Sequence, residues 1–309
     1  MDNRRILVLY TFHEYNYNVD FFIKNGIFYD QNVDFIIIIN NEYIKIDVPD
    51  YVKILNRKNI GYDFGGWSDG LLTNNLYKNY DYFIFANSSV IGPIIPKYYK
   101  NRWINIFLDG LVDDIKLYGC TINTCDKYTC DDPVNSAHVQ SYVFCIDKNT
   151  LEYLISKEIF SQTNLISEYI EVVQQKEVKM SREIINNNWN IGCLFYHYNS
   201  IDFRNLSNIN KNIFLHDITS MKYYDQIVHP YEVIFVKDKY ISNKNWLYNY
   251  IDKIEYIPEQ YNNIIYVGKD IIVEDNVNTS NHIYWKILLI IIISIITYII
   301  INKTTKSKN

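Results

Sequence analysis

The segment Val33–Ile39 reads V-D-F-I-I-I-I and is closed by Asn40-Asn41. It lacks the in-out alternation of a strand with one wet face, so it has to be covered on both sides. That is the condition of a central strand in a parallel sheet. Apolar runs at residues 5–10, 52–55 and 82–86 share its character. Between them, residues 19–25 and 66–76 carry helical spacing. Strand, helix, strand, helix, strand in this order predicts an α/β domain with a mixed, mainly parallel sheet flanked by helices. Right-handed crossovers then order the strands.

Further along, residues 115–123 and 141–147 are expected to be strands on either side of a polar loop, 124–136. Residues 150–188 are expected to be mostly helical, with Ser181 as an N-cap ahead of Glu183 and Ile184. Apolar stretches at 190–198, 213–216 and 232–236 are read as the last strands of the core. The expected division is a domain over 1–240, an appended unit or stalk over 241–282, an apolar span over 283–301 and a basic tail over 302–309.

Residues 283–301 hold one charge, Lys286, and are otherwise almost entirely Ile and Leu. At about 1.5 Å per residue, a helix of that length spans roughly 28 Å, the thickness of a bilayer core. Tyr284 and Trp285 stand where an interfacial aromatic belt would lie. The N-terminal residues do not form a signal peptide, because the apolar run after Arg4-Arg5 ends within five residues. The expectation is a single-pass membrane protein with a C-terminal anchor and its main domain in the cytoplasm. A net charge of −5 makes nucleic acid an unexpected partner. The 30 tyrosines, with many Ile and Asn, fit an AT-rich genome, whether of a low-GC bacterium, a parasite or a large DNA virus. They lower the information in any one such residue. Five cysteines form no C-x-x-C pair; Cys120, Cys125 and Cys130 with His138 would be an unusual zinc spacing.

In an open parallel sheet, ligands sit outside the carboxyl ends of the strands. Those ends carry Tyr10-Thr11-Phe12-His13-Glu14, then Asn56-Arg57-Lys58 running into N-I-G-Y-D-F-G-G-W-S-D-G-L over 59–71, then Asn87-Ser88-Ser89. Four of the ten glycines of the chain fall within 59–71. Glycine permits positive φ and close backbone approach to a ligand, and Asp63 among them can accept hydrogen bonds from ribose hydroxyls or a base N–H. The segment is neither a Walker loop nor G-x-G-x-x-G. A plain glycine-rich turn is the alternative.

Asn59, Gly61, Asp63 and Gly65, a helix, and then Tyr80-Asp81-Tyr82-Phe83-Ile84-Phe85-Ala86-Asn87-Ser88-Ser89 together resemble the nucleotide-sugar-binding half of GT-A glycosyltransferases. With F-x-N-S-S-V-x-G-P at 85–93, H-V-Q-S at 138–141 and N-W-N-I-G-C-L at 188–194, the pattern is similar to a group of glycosyltransferases related to rhamnan-synthesis-type proteins. The resemblance covers about residues 5–205. It implies a GT-A-like fold and transfer of a sugar from a nucleoside-diphosphate donor to a glycan, lipid or protein acceptor at a membrane face. Tyr10, Thr11, Asn59, Gly61, Asp63, Gly65, Asn87 and Ser88 would hold the donor.

The departure is at Asn87-Ser88-Ser89, where the superfamily carries its acidic Asp-x-Asp motif for Mn²⁺ or Mg²⁺ and this chain has no carboxylate. A metal would fall to Ser89 and a late His216. Otherwise cations such as Arg57 and Lys58 would help, or activity is lost. Inversion would need a base near the acceptor hydroxyl. The resemblance favours Glu177, while Glu171, Asp113 and Asp114 stay open; His138, with Gln140 beside it, can contact a sugar hydroxyl or phosphate. Trp67 and Trp103 are candidates for stacking on a sugar or for the core. The other readings are a non-catalytic, membrane-anchored binding or structural relative and another Rossmann-like nucleotide enzyme.

Overall fold

A computed structural model describes residues 4–124, 137–199, 201–204 and 228–251. The chain divides into units Met1–Val267 and Gly268–Asn309, and every described residue lies in the first. The predicted anchor at 283–301, His216, Cys125, Cys130 and the predicted strand at 213–216 lie outside the described residues. Among the described residues no helix is long and apolar enough to cross a membrane.

The predicted mixed, mainly parallel α/β sheet is present. The strands are β1 Ile6–Phe12, β2 Val33–Ile39, β3 Val52–Asn56, β4 Tyr82–Asn87, β5 Ile115–Gly119, β6 Ile122–Asn123, β7 His138–Val139, β8 Val143–Asp147 and β9 Asn190–Cys193. Seven form one sheet in the order β3-β2-β1-β4-β8-β5-β9, and β6 pairs with β7 in a small ladder. β8 runs antiparallel to both its neighbours, whereas the other pairings in the sheet are parallel. The start of β8 therefore lies at the carboxyl end of β4, where Asn87 N donates to Tyr142 O at 3.0 Å. This reversal brings the segment 138–142 to the same rim as the ends of β1, β2, β3 and β4.

β2 is buried as its sequence requires; its one polar residue, Asp34, accepts from Arg5 Nη2 and Tyr80 OH, both at 2.7 Å. Helices cover both faces. Helix α1 (Tyr17–Asn25) begins at Asn16, whose side chain caps Val19 N. It stacks Phe22 on Tyr10 with ring centroids 3.9 Å apart. Helix α3 (Trp103–Leu108) adds Trp103, whose Nε1 donates to Gly26 O at 2.8 Å. On the opposite face, helix α2 (Tyr62–Leu72) lays Gly66 and Gly70 against Thr11, Ile38 and Leu9. There Trp67 meets Phe85 and Phe144, which stack at 4.5 Å. Trp67 and Trp103 are thus core residues, not a stacking platform.

Three expectations change. Helix α2 starts at Tyr62, not at residue 66, so Gly65, Gly66 and Gly70 lie inside the helix and serve its packing, while Gly61 is its N-cap. Residues 150–188 are mostly helical, as expected, in two pieces: helix α4 (Lys148–Ser156) is separated by a loop from a second helical stretch, 169–186. That stretch runs through an α turn Tyr169–Val172, a π segment Val173–Val178 and a final α segment Lys179–Asn186. Ser181 is consequently internal, not a cap; its Oγ accepts from Val139 N at 3.0 Å. Residues 232–236 form a short helix, Pro230–Val233, and then a single bridge between Val236 and Ile91.

Candidate functional site

Asp63 sits in the first turn of α2, delivered by two successive left-handed residues, Gly61 at φ 75° and Tyr62 at φ 52°. Glycine suits the first because it carries no Cβ penalty there. Arg57 holds this entry in place. Its Nε donates to Asp69 Oδ2 at 2.6 Å, Nη1 to Asn40 Oδ1 at 2.7 Å and Nη2 to Ile60 O at 2.8 Å. Asn40 in turn donates to Tyr62 O at 3.1 Å. Gly65 is needed for the same reason: a Cβ there would stand 2.2 Å from Ile60 O. Arg57 is thus spent on building the loop, and Lys58 and Asn59 are exposed beside it.

Asn87, at the end of β4, is buried and links two partners. Its Nδ2 donates to Asp63 Oδ2 at 2.8 Å, while its Oδ1 accepts from Ser89 N at 3.0 Å and Ser89 Oγ at 2.6 Å. Ser88 is fixed through its backbone: its N donates to Thr11 O at 3.1 Å, and its O accepts from Asn18 Nδ2 at 3.1 Å. Tyr10 and Thr11 themselves are sealed in the core beneath the rim, and neither hydroxyl has a hydrogen-bond partner in the described structure. Thr11 offers the rim its carbonyl. Burial, with the charge of Asp63 adding to it, pushes the Tyr10 phenol well above its usual range.

The other half of the site comes from the antiparallel return. The β6–β7 ladder pairs Asn123 with His138 and buries the imidazole. His138 Nε2 lies 3.6 Å from Glu177 Oε1. Glu177 Oε2 accepts from Ser141 N at 2.8 Å and from Ser141 Oγ. The helical stretch that carries Glu177 is pinned on both sides of it. Tyr169 meets the ring of Tyr62 at 6.1 Å, buried Lys176 donates to Glu158 O at 2.5 Å, and Ser181 holds Val139. Gln140, which the sequence sets beside His138, accepts from Thr121 Oγ1 at 2.8 Å inside the core.

The two carboxyls are driven apart in acidity. Burial pushes Asp63 up to about 7; the hydrogen bond from Asn87 works against this, and the charge of Glu177 adds to it. Burial alone would raise Glu177 too, but His138, Lys237 and Ser141 outweigh it and hold the carboxyl down at about 2. One carboxyl is therefore charged throughout the working range, and its neighbour exchanges a proton near neutrality.

The other candidates are elsewhere. His13 Nδ1 is 2.8 Å from Asn40 O at an exposed corner of the rim. Glu171 is exposed on the helical stretch. Asp113 and Asp114 precede β5, at the amino end of the sheet, and line a cavity of about 220 Å³ there with Arg204, which pairs with Asp114. Sequence reasoning missed Ser141 as a partner of Glu177 and Arg57 as the clamp of 57–62; H-V-Q-S was a signal for the first, and nothing local marks the second.

Of the two ligands expected from sequence, His216 lies outside the described residues, and the described Asn87-Ser88-Ser89 turn does not present a donor set that suits Mn²⁺ or Mg²⁺. The Asn87 carbonyl oxygen is turned onto Ser89, and the Ser89 hydroxyl donates back to it. A hard cation needs anionic oxygens facing outward. Among the described residues no group of three or more His, Cys, Asp or Glu side chains could hold a metal ion.

A family model described as Rhamnan synthesis protein F matches residues 36–306. Among solved structures, the apo form of WbbM, a bifunctional glycosyltransferase, is similar at 13% identity and a TM-score of 0.31, over 82% of this chain and 52% of its own. The chain thus spans about half the length of that protein. No curated protein matches it.

Proposed function

The chain belongs to the rhamnan synthesis protein F family, and from that premise we propose that it is a glycosyltransferase that moves a sugar from a nucleoside-diphosphate donor to a glycan, lipid or protein acceptor. The observation that carries this reading is a convergence. Four segments far apart in sequence bring Asp63, Asn87 with Ser89, His138 with Ser141, and Glu177 to one rim of an α/β sheet. The donor lies across the ends of β1, β3 and β4, over Asn59, Gly61, Asn87 and Ser88. The acceptor enters from the side of His138 and Glu177. The apolar stretch 283–301 tethers the reaction to a membrane, with the main domain on the cytoplasmic side.

The acidities redistribute the roles read from sequence. A general base works best when its pKa lies near the operating pH. Glu177, held near 2, is a poor proton acceptor and a good fixed anion. Asp63, near 7, is suited to take the proton of the acceptor hydroxyl as the new bond forms.

The test is donor binding by the full chain in detergent, screened with UDP-, GDP- and dTDP-sugars by thermal shift. A ligand well above its dissociation constant raises the melting temperature by mass action. The expected result is a rise with one nucleotide that disappears in Asn87→Ala, at the donor end of β4. Silence with every donor, from folded protein with and without Mn²⁺, would favour a non-catalytic relative, the reading to which the neutral Asn87-Ser88-Ser89 turn gives its support.

A further inference from the structure

A departing nucleoside diphosphate gains negative charge, and the turn at its expected place offers neutral groups only. Arg57, a cation that the sequence put forward for this task, is turned inward onto Asp69, Asn40 and Ile60. A different cation stands at the rim. The bridge between Ile91 and Val236, with N-to-O distances of 2.8 and 2.9 Å, ties residues 236–238 to the segment that follows Ser89. Asn18 fastens the same two segments together, donating to Ser88 O at 3.1 Å and to Asp238 Oδ1 at 3.4 Å. Lys237 is thereby set beside the Asn87-Ser88-Ser89 turn. Its Nζ lies 5.0 Å from the ring centroid of Tyr142, the residue whose carbonyl receives Asn87 N. Its charge also reaches Glu177. The neighbouring Asp238 is paired with Lys244 at 2.8 Å.

We propose that Lys237 is the cation that receives the diphosphate leaving group, in place of a metal ion. This rests on the reading of the rim as a nucleotide-sugar site. In the transfer, the acceptor hydroxyl oxygen forms a bond to the anomeric carbon while the bond from that carbon to the β-phosphate oxygen breaks. The bonding pair leaves on that oxygen, and the acceptor proton passes to Asp63 and then to water. The Lys237 ammonium stays protonated and donates a hydrogen bond to the oxygen as its charge grows. A lysine ammonium is a compact charge on a flexible stem that can donate to a phosphate oxygen, and hydrogen bonds between two charged groups are the strong ones. A donor aimed at developing charge acts mainly on the chemical step.

The experiment compares wild type, Lys237→Met and Lys237→Arg as full chains. Binding of UDP, GDP and dTDP is measured by thermal shift, and turnover is followed as nucleoside diphosphate released from the matching sugar donor. Lys237→Met is expected to lower kcat by about 100-fold and to weaken diphosphate binding about tenfold. Lys237→Arg should recover most of both, and EDTA should leave wild-type turnover unchanged. Wild type that binds and turns over donor while Lys237→Met stays within threefold overturns the role of Lys237 and leaves the rim reading intact. Wild-type turnover abolished by EDTA and restored by Mn²⁺ overturns it as well. Wild type that binds none of the three diphosphates overturns the rim reading and this inference with it.

Discussion

Asp63→Asn should make the protein more stable at alkaline pH while stopping turnover. The substitution keeps the shape of the side chain and an oxygen to receive Asn87 Nδ2, and it removes the titrating carboxyl. In the folded protein that carboxyl titrates at about 7; in an unfolded chain an Asp titrates at about 3.9. Between those values the native state holds a proton that the unfolded state has lost. Stability therefore falls as pH rises through this window, and the loss is complete above the folded value. Three pH units at about 1.4 kcal/mol each set a ceiling of about 4 kcal/mol. Asp63 is only partly buried by accessible surface. Water at the rim returns part of that cost, so we expect Asp63→Asn to gain about 2 kcal/mol at pH 8.5 and less than half of that at pH 5. Urea unfolding at the two pH values, followed by tryptophan fluorescence, reads the difference directly. A gain that is the same at both, or a variant less stable than wild type at pH 8.5, would refute the assignment of a neutralised carboxyl at this rim.

Two further substitutions probe the scaffold of the site. Arg57→Met strands the buried Asn40 side chain and removes three bonds to a guanidinium, so it should cost about 3 kcal/mol in urea unfolding, and Arg57→Lys about half as much; a cost below about 1 kcal/mol for Arg57→Met would mean the clamp contributes little. Gly65→Ala drives a methyl group onto Ile60 O, a backbone atom that cannot swing aside. It should cost about 1–3 kcal/mol and lower turnover, because the loop that yields also aims Asp63; turnover at the wild-type rate would show that this contact does not position the carboxyl.

The class of the fold was legible because β1, β2 and β4 are apolar runs that have to be covered on both faces, whereas β3, at the edge of the sheet, is largely exposed. The meeting of Asp63 with Asn87 was legible as well, since both follow strands that end on one rim. The boundary of α2 was not: glycines lower helix propensity, and the sequence reads as a loop until Gly66 and Gly70 are seen to admit Thr11, Ile38 and Leu9. Arg57 was misread for a related reason. An arginine among asparagines and glycines looks solvated, and only the turn of residues 57–62 closes it onto Asp69. Ser181 resembled a cap because Ser ahead of Glu and Ile has that pattern, yet the helix had already begun twelve residues earlier at Tyr169. The part played by Lys237 had no local signal, since it depends on a bridge to Ile91 across the length of the chain.

The π segment Val173–Val178 bears on how such a site is won or lost over generations. A π turn is how a helix accommodates one residue more than α geometry allows, and successive residues of an α-helix are about 100° apart around its axis. The helix here is fastened at Tyr169 before the segment and at Ser181 after it. Deleting a single codon within the segment would restore α spacing between those fixed points and shift Glu177 relative to His138 and Ser141, with the strands of the sheet unaltered. The carboxylate is thus detachable from the architecture that carries it, and lineages that keep the fold are free to differ at this one step.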